Sequence, residues 1–253
     1  MAKPFLVVQL SDPHIGATWG GGDPMAGLRA VVEAVRRLPD DPDAVLVSGD
    51  LADNAADDEY EFVRESLALL GAPVYVVAGN HDDRDALRRH FDVPGPLGAP
   101  VQYAADLGSL RLVVLDSTRP GEDPGELDAA RLAWLDAELA AAPDRPTLLA
   151  LHHPPVMTAS APWDELGLPA ADRHALAKVL ERHPQVRRVV AGHVHRTIAG
   201  ELAGRTVLAV PSTYVQARLD FDSGRIAFSA DPPGFAVHAV LDGQVASHVQ
   251  PVT

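Results

Sequence analysis

Phe5-Leu6-Val7-Val8-Gln9-Leu10-Ser11-Asp12-Pro13-His14 is the stretch on which the reading of the whole chain turns. Its first six residues are β-forming and apolar apart from Gln9, and they run into Asp12 and His14, two side chains that can ligate a metal ion. Strand side chains alternate, so residues two apart point the same way and both groups can reach one ion. Taken alone, the triplet reads more readily as a turn with an N-capping Asp. The arrangement recurs, however. Residues 44–47 lead to Gly49-Asp50, 74–78 to Gly79-Asn80-His81-Asp82, 147–151 to His152-His153, and 186–191 to Gly192-His193-Val194-His195. Strands lying side by side would open all these loops on one edge, where α/β folds place their sites.

Helical signals separate the runs. Asp23 is an N-cap with Pro24 at the first helical position, and Met25, Leu28, Val31, Val32 and Val35 form one apolar face. Further helices are expected over 57–70, 128–141 and 170–182, and a further strand over 110–115. Beyond His195 the segments 198–202, 206–210, 225–230, 235–241 and 245–249 are short and β-rich. They read as antiparallel strands or hairpins completing a second sheet from about residue 197. No linker or repeat divides the chain, so residues 1–253 are read as one α/β domain. The segment 158–169 is irregular, carries Trp163, and is expected to loop over the site.

Composition narrows the chemistry. With no cysteine, thiolate metal sites and a cysteine nucleophile are excluded, and any metal is held by oxygen and nitrogen. A formal charge of −14 argues against a nucleic-acid polymer as partner, because phosphate-backbone binding relies on dense Lys and Arg. It leaves room for a small anion, since bound metal ions reverse the local sign. The first apolar run is too short for a signal-peptide core, and no stretch is long enough for a membrane span, so a cytoplasmic protein without a membrane partner is expected.

Asp50 is a single carboxylate able to bridge two ions with its two oxygens. Asn80 offers a neutral amide oxygen, although an ordinary Asn turn is the plain alternative. Two divalent ions carry about +4, which Asp12, Asp50 and a bridging hydroxide reduce to about +1, a centre suited to a phosphate ester. His193 and His195 face the same way. His152 and His153, being adjacent, point apart, so one is expected to bind metal and the other to support it or wall the pocket. His90, His174, His183, His238 and His248 have no motif around them and are read as surface or structural.

The ordered motifs D-x-H, G-D, G-N-H, H and G-H-x-H resemble the calcineurin-like metallophosphoesterase superfamily, over Asp12 to His195. The resemblance implies a four-layer α/β/β/α sandwich of two facing mixed sheets, the metallo-dependent phosphatase fold. It implies one ion held by Asp12, His14 and His195 and another by Asn80, His152 and His193, with Asp50 bridging. His152 is favoured over His153 because it lies two positions before a proline. His81 would contact the phosphate and assist the leaving oxygen, with Asp53 orienting it.

Gly49-Asp50-Leu51-Ala52-Asp53, Gly79-Asn80-His81-Asp82-Asp83, His152-His153-Pro154-Pro155, Pro211-Ser212-Thr213 and Pro233-Gly234-Phe235 look most like class III cyclic-nucleotide phosphodiesterases and their glycerophosphodiesterase relatives. The protein-phosphatase branch has an Arg after the residue matching Asp53, whereas this chain has Asn54. Asn54 is therefore expected to bind substrate without adding charge, favouring a diester; a simple turn residue is the alternative.

The expected activity is hydrolysis of a small phosphodiester by in-line attack of a hydroxide bridging two divalent or mixed-valence ions, drawn from Mn, Fe, Zn or Co. A phosphomonoesterase on the same scaffold is the first rival, and a non-catalytic binding relative the second. Relatives are often dimers or larger, which leaves a homo-oligomer open.

Overall fold

The computed structural model describes residues 3–222 and 224–252. Along the chain, β1 (Phe5–Leu10), α1 (Pro24–Arg36), β2 (Ala44–Val47), α2 (Asp57–Ala68), β3 (Val74–Val76) and α3 (Arg84–His90) come first. Then follow β4 (Tyr103–Leu107), β5 (Leu110–Val114), α4 (Ala129–Ala140), β6 (Thr147–Ala150), α5 (Ala161–Glu165), α6 (Ala170–Arg182) and β7 (Val186–Ala191). The chain ends with β8 (Ile198–Leu202), β9 (Arg205–Ala209), β10 (Gln216–Ala217), β11 (Phe228–Ser229), β12 (Gly234–Leu241) and β13 (Gln244–Pro251).

One sheet has the order β13-β12-β1-β2-β3 and the other β4-β5-β6-β7-β9-β8. Within them β1, β2 and β3 run parallel, as do β5, β6, β7 and β9. Alternation of side chains builds the layers. Leu110, Leu112 and Val114 of β5, with Leu148 and Ala150 of β6, join the core shared with the first sheet and with α1 and α2. Val113 and Leu149, pointing the other way, pack with Leu135, Leu139, Leu176 and Leu180 of α4 and α6. The result is the expected four-layer α/β/β/α sandwich.

Helix starts follow local chemistry. Asp23 accepts hydrogen bonds from Met25 N and Ala26 N at 2.9 and 3.1 Å, capping α1. Leu28, Val31, Val32 and Val35 are buried, but Met25 is 38% exposed. At this end of the helix the close contact is made by Gly27, where a Cβ would lie 2.3 Å from Thr213 O.

The expected C-terminal arrangement needs correction. Only β8 and β9 extend the second sheet; β12 pairs antiparallel with β1, so the last hairpin completes the first. Both sheets had an open edge, and apolar alternation does not choose between them. The segment 225–230 forms only the short β11, paired with β10 apart from both sheets. β3 is an edge strand, with Val74 and Tyr75 half-buried. The helix α3, capped by Asp83, and the strand β4 were not anticipated.

Gln9, the interruption in the first apolar run, ties the sheets together. Its Nε2 donates to Ser48 Oγ at 2.8 Å and to Ala191 O of β7 at 3.1 Å. Its Oε1 accepts from the buried His238 on β12 at 2.8 Å. A buried amide side chain is tolerated because its hydrogen-bonding groups are satisfied. No described helix is long and apolar enough to cross a membrane.

Candidate metal centre

The ends of β1, β2 and β3 supply Asp12 and His14, Asp50, and Asn80 and His81; the ends of β6 and β7 supply His152, and His193 and His195. The donors therefore come from both sheets. Asp12, His14, Asp50, His193 and His195 all adopt left-handed backbone, with φ of 51°, 45°, 52°, 71° and 45°. Such conformations cost about 1–3 kcal/mol each for residues with a Cβ, and persist where surrounding contacts over-determine them. Here Asp12 N donates to Gly49 O at 3.0 Å and His14 N to Asp50 O at 2.9 Å. Across the sheets, His193 N donates to Asp12 Oδ1 at 2.9 Å. Gly49 is required by proximity, since a Cβ there would stand 2.2 Å from His152 Nδ1.

Hydrogen bonds set the tautomers. The Nδ1–H of His14 donates to Asp53 Oδ1 at 3.0 Å, that of His152 to Ser48 O at 2.8 Å, and that of His195 to Val215 O at 3.0 Å. In the neutral rings this leaves Nε2 as a bare lone pair. These lone pairs converge on other acceptors. His14 Nε2 lies 3.0 Å from His195 Nε2, and His152 Nε2 lies 3.0 Å from Asn80 Oδ1, itself 3.1 Å from His193 Nδ1. Asp50 Oδ2 stands between the groups, 3.3 Å from His14 Nε2 and 3.3 Å from His152 Nε2. Asp12, His14 and His195 bring their ligand atoms within 4.8 Å of one another, and so do Asp12, Asp50 and His152. Asp12 Oδ2 is buried without a hydrogen-bond partner. Acceptors facing acceptors repel unless positive charge lies among them, so the set suits cations that prefer oxygen and nitrogen.

The titration behaviour has the same origin. Burial would push His14 and His152 down, but the Asp50 carboxylate more than reverses this and holds them at about 10 and about 9. Asp50, despite burial, is kept well below the usual carboxylate range by His152 and His14. Burial raises Asp12 to about 6 and, together with the charge of His14, lowers His195 to about 3.

The supporting residues differ from expectation in instructive ways. The resemblance implies that Asp53 orients His81, yet its closer partners are His14 and the indole N–H of Trp19, at 3.0 and 3.1 Å; His81 Nδ1 is 3.4 Å away. Asn54 does not face the donors. Its amide donates to Glu59 Oε1 at 2.7 Å, because the buried Glu59 carboxylate reaches back over the start of α2 and needs donors. Its diester argument therefore falls. His153 is engaged elsewhere, by Ser117 Oγ and Asp123 O. His90 pairs with Asp57, His183 with Asp136, and His238 with Gln9 and Ser247, each away from the donors.

Asp82, to which sequence reasoning assigns no role, accepts from Gly79 N, Leu51 N and Ala52 N at 2.9, 3.1 and 3.2 Å, bracing the loops that carry Asp50 and Asn80. Its place within Gly79-Asn80-His81-Asp82 was the available signal. Ser212 Oγ braces the Asp12 carbonyl at 2.7 Å.

A cavity of about 240 Å³ opens over His14, Asp50, Asn80, His81, His193 and His195. Trp19, Trp163, Leu166, Ile226 and Phe228 wall it, and Asp123 stands at its rim; no Lys or Arg is among the described lining residues. The segment expected to loop over the site contains α5, which places Trp163 with its ring 5.8 Å from His193 and 6.2 Å from His195. Tyr214 packs on Trp19.

The sequence profile of the calcineurin-like phosphoesterases matches residues 5–197. The chain is 31% identical to the glycerophosphodiester phosphodiesterase GpdQ of Enterobacter lignolyticus (strain SCF1), over 96% of this chain and 90% of that protein. It is 35% identical to the 3′,5′-cyclic adenosine monophosphate phosphodiesterase CpdA of Pseudomonas aeruginosa, over 91% and 83%. In structure it is similar to a dimetal phosphatase from Danio rerio, with a TM-score of 0.69 at 18% identity and full coverage of both chains. With the ordered motifs gathered at one edge of two facing sheets, the chain belongs to the calcineurin-like phosphoesterase family.

Proposed function

We propose that this protein is a hydrolase of small phosphodiesters, of cyclic-nucleotide or glycerophosphodiester type, working with two divalent or mixed-valence metal ions. The observation that carries the reading is the pair of donor groups on either side of Asp50 Oδ2, beneath a cavity whose described lining holds no Lys or Arg. A monoester dianion gains from added guanidinium groups, whereas a diester carries a single charge and a second substituent that an apolar wall can accept. The relatives named as phosphodiesterases point the same way.

Asp12, His14 and His195 would hold one ion and Asn80, His152 and His193 the other, with Asp50 shared. When bound, such ions supply Lewis acidity, lowering the pKa of water and offsetting phosphate charge. Asp53 holds His14 in the tautomer that presents Nε2. His81 has Nδ1 against Asp53 O at 3.3 Å and lines the cavity, so its Nε2 is the nitrogen free to serve the substrate. A protonated His81 can pass its proton to the departing ester oxygen. The indole of Trp163 and the ring of Phe228 give the cavity apolar walls.

The test is metal reconstitution followed by assay on bis(p-nitrophenyl) phosphate, 3′,5′-cyclic AMP and glycerophosphodiesters, with p-nitrophenyl phosphate as the monoester and chelated protein as control. His81→Ala is expected to keep its metal content and lose roughly 10²–10⁴-fold in turnover. Strong monoester preference, or full activity after chelation, would overturn the reading.

A further inference from the structure

His153 is buried beside His152 and His193, with its ligand atom within 4.8 Å of theirs, yet both of its nitrogens are already hydrogen-bonded. Asp123 O can only accept, so Nε2 carries the proton and donates to it at 3.0 Å, leaving Nδ1 to accept from Ser117 Oγ at 2.9 Å. The ring is a strut between the end of β5 and the turn bearing Asp123. Gly125 lies directly against it: a Cβ there would stand 2.7 Å from His153 Cγ and 2.9 Å from Nδ1. Glu126 N closes the base of the turn on Ser117 O at 3.0 Å, and Gly125 N reaches Gly167 O at 3.3 Å, next to the segment carrying Trp163. This framework holds Asp123, which lines the cavity together with Asn80, His81 and His193. Asp50 on the floor faces the opposing imidazoles; Asp123 is the other carboxylate of the described lining, and no Lys or Arg there offsets it.

We propose that Asp123, held by His153 and Gly125, is a charge-selecting residue: it disfavours ligands bearing a second negative charge on phosphorus, so that diesters are kept and monoesters or inorganic phosphate are turned away. The site's identity rests on the function proposed above, but the selection itself does not require turnover. A phosphate group with a second pKa near 6 is largely dianionic at neutral pH, whereas a diester remains a monoanion. One extra charge at roughly 8 Å, at an effective dielectric near 40, shifts affinity by about five-fold. Asp123 itself is exposed, so replacing its side chain opens no buried space.

The experiment is calorimetric titration of the metal-loaded protein at about pH 8.5, where inorganic phosphate is also almost wholly dianionic, with inorganic phosphate and with dimethyl phosphate. Relative to dimethyl phosphate, phosphate should bind about five-fold more tightly to Asp123→Asn and about 25-fold more tightly to Asp123→Lys. Both gains should shrink at about 0.5 M salt, which a purely structural effect would not do. As a positioning residue, His153 should lose its influence once the charge is gone: His153→Asn should lower the discrimination alone and add nothing to Asp123→Asn. An unchanged ratio in Asp123→Lys would overturn the inference. If the ratio moves as expected while no diester is hydrolysed, charge selection stands and the proposed function fails.

Discussion

Metal uptake should expel about two protons near neutral pH, and the reason lies in His14 and His152. Without metal, Asp50 holds these imidazoles at about 10 and about 9, so both are protonated at pH 7. The two ions would need the Nε2 lone pairs of His14 and His152 respectively, each 3.3 Å from Asp50 Oδ2, so both protons would have to leave. One proton is worth 1.36 kcal/mol per pH unit, so two make the apparent affinity rise by about 2.7 kcal/mol, or roughly 100-fold, per unit. The rise should continue to about pH 9, where ordinary histidines would have levelled off near pH 7.5. Below about pH 6 Asp12, raised by burial, competes as well.

Titrating Mn(II) into metal-free protein in two buffers of different ionisation enthalpy counts the protons directly. Release of less than about half a proton at pH 7.5, or an affinity flat from about pH 7.5 to 8.5, would refute the reasoning. The same shifts fix a stability trend. Because folding raises the two pKa values, the stabilisation is complete below the unfolded value of 6.5 and is lost as pH rises through about 9 and 10. Metal-free protein should therefore soften in alkali, as followed by urea melts across that range.

Asp53→Asn should lower metal affinity about 10–100-fold by loosening His14, seen as metal lost on dialysis; retention equal to the parent would remove Asp53 from that role. Gln9→Leu should cost about 1–3 kcal/mol in urea unfolding, because the buried His238 Nε2 loses its acceptor. Adding His238→Phe should recover most of the loss, and strictly additive losses would count against the inter-sheet clamp.

The donor set was legible because ligand chemistry is written locally, as residue type, two-residue spacing and a β run just before. Asp12, His14, Asp50, Asn80, His193, His195 and the adjacent pair His152-His153 needed no knowledge of which strand pairs with which; the choice of His152 within the pair came from the family resemblance. The helices over 57–70, 128–141 and 170–182 were legible for the same reason, with ends close to α2, α4 and α6. Asn54, Asp53 and His153 were misjudged or left open because a side chain's partner depends on what another segment brings near: Glu59 for Asn54, Trp19 and His14 for Asp53, and the Asp123 turn for His153.

Sequence by itself determined the order of strand and loop, the exclusion of thiolate chemistry, and the groups available to hold cations. Tertiary structure alone decided that the last hairpin joins β1 rather than the second sheet, that Gln9 and His238 meet between strands, and that five donor residues bend into left-handed backbone. Alternation records only which face of a strand is buried, and two open sheet edges satisfy it equally. Strained backbone is offset by contacts between the ends of β1 and β2 and, through His193 N and Asp12, between the two sheets, none of which exists before the strands have come together.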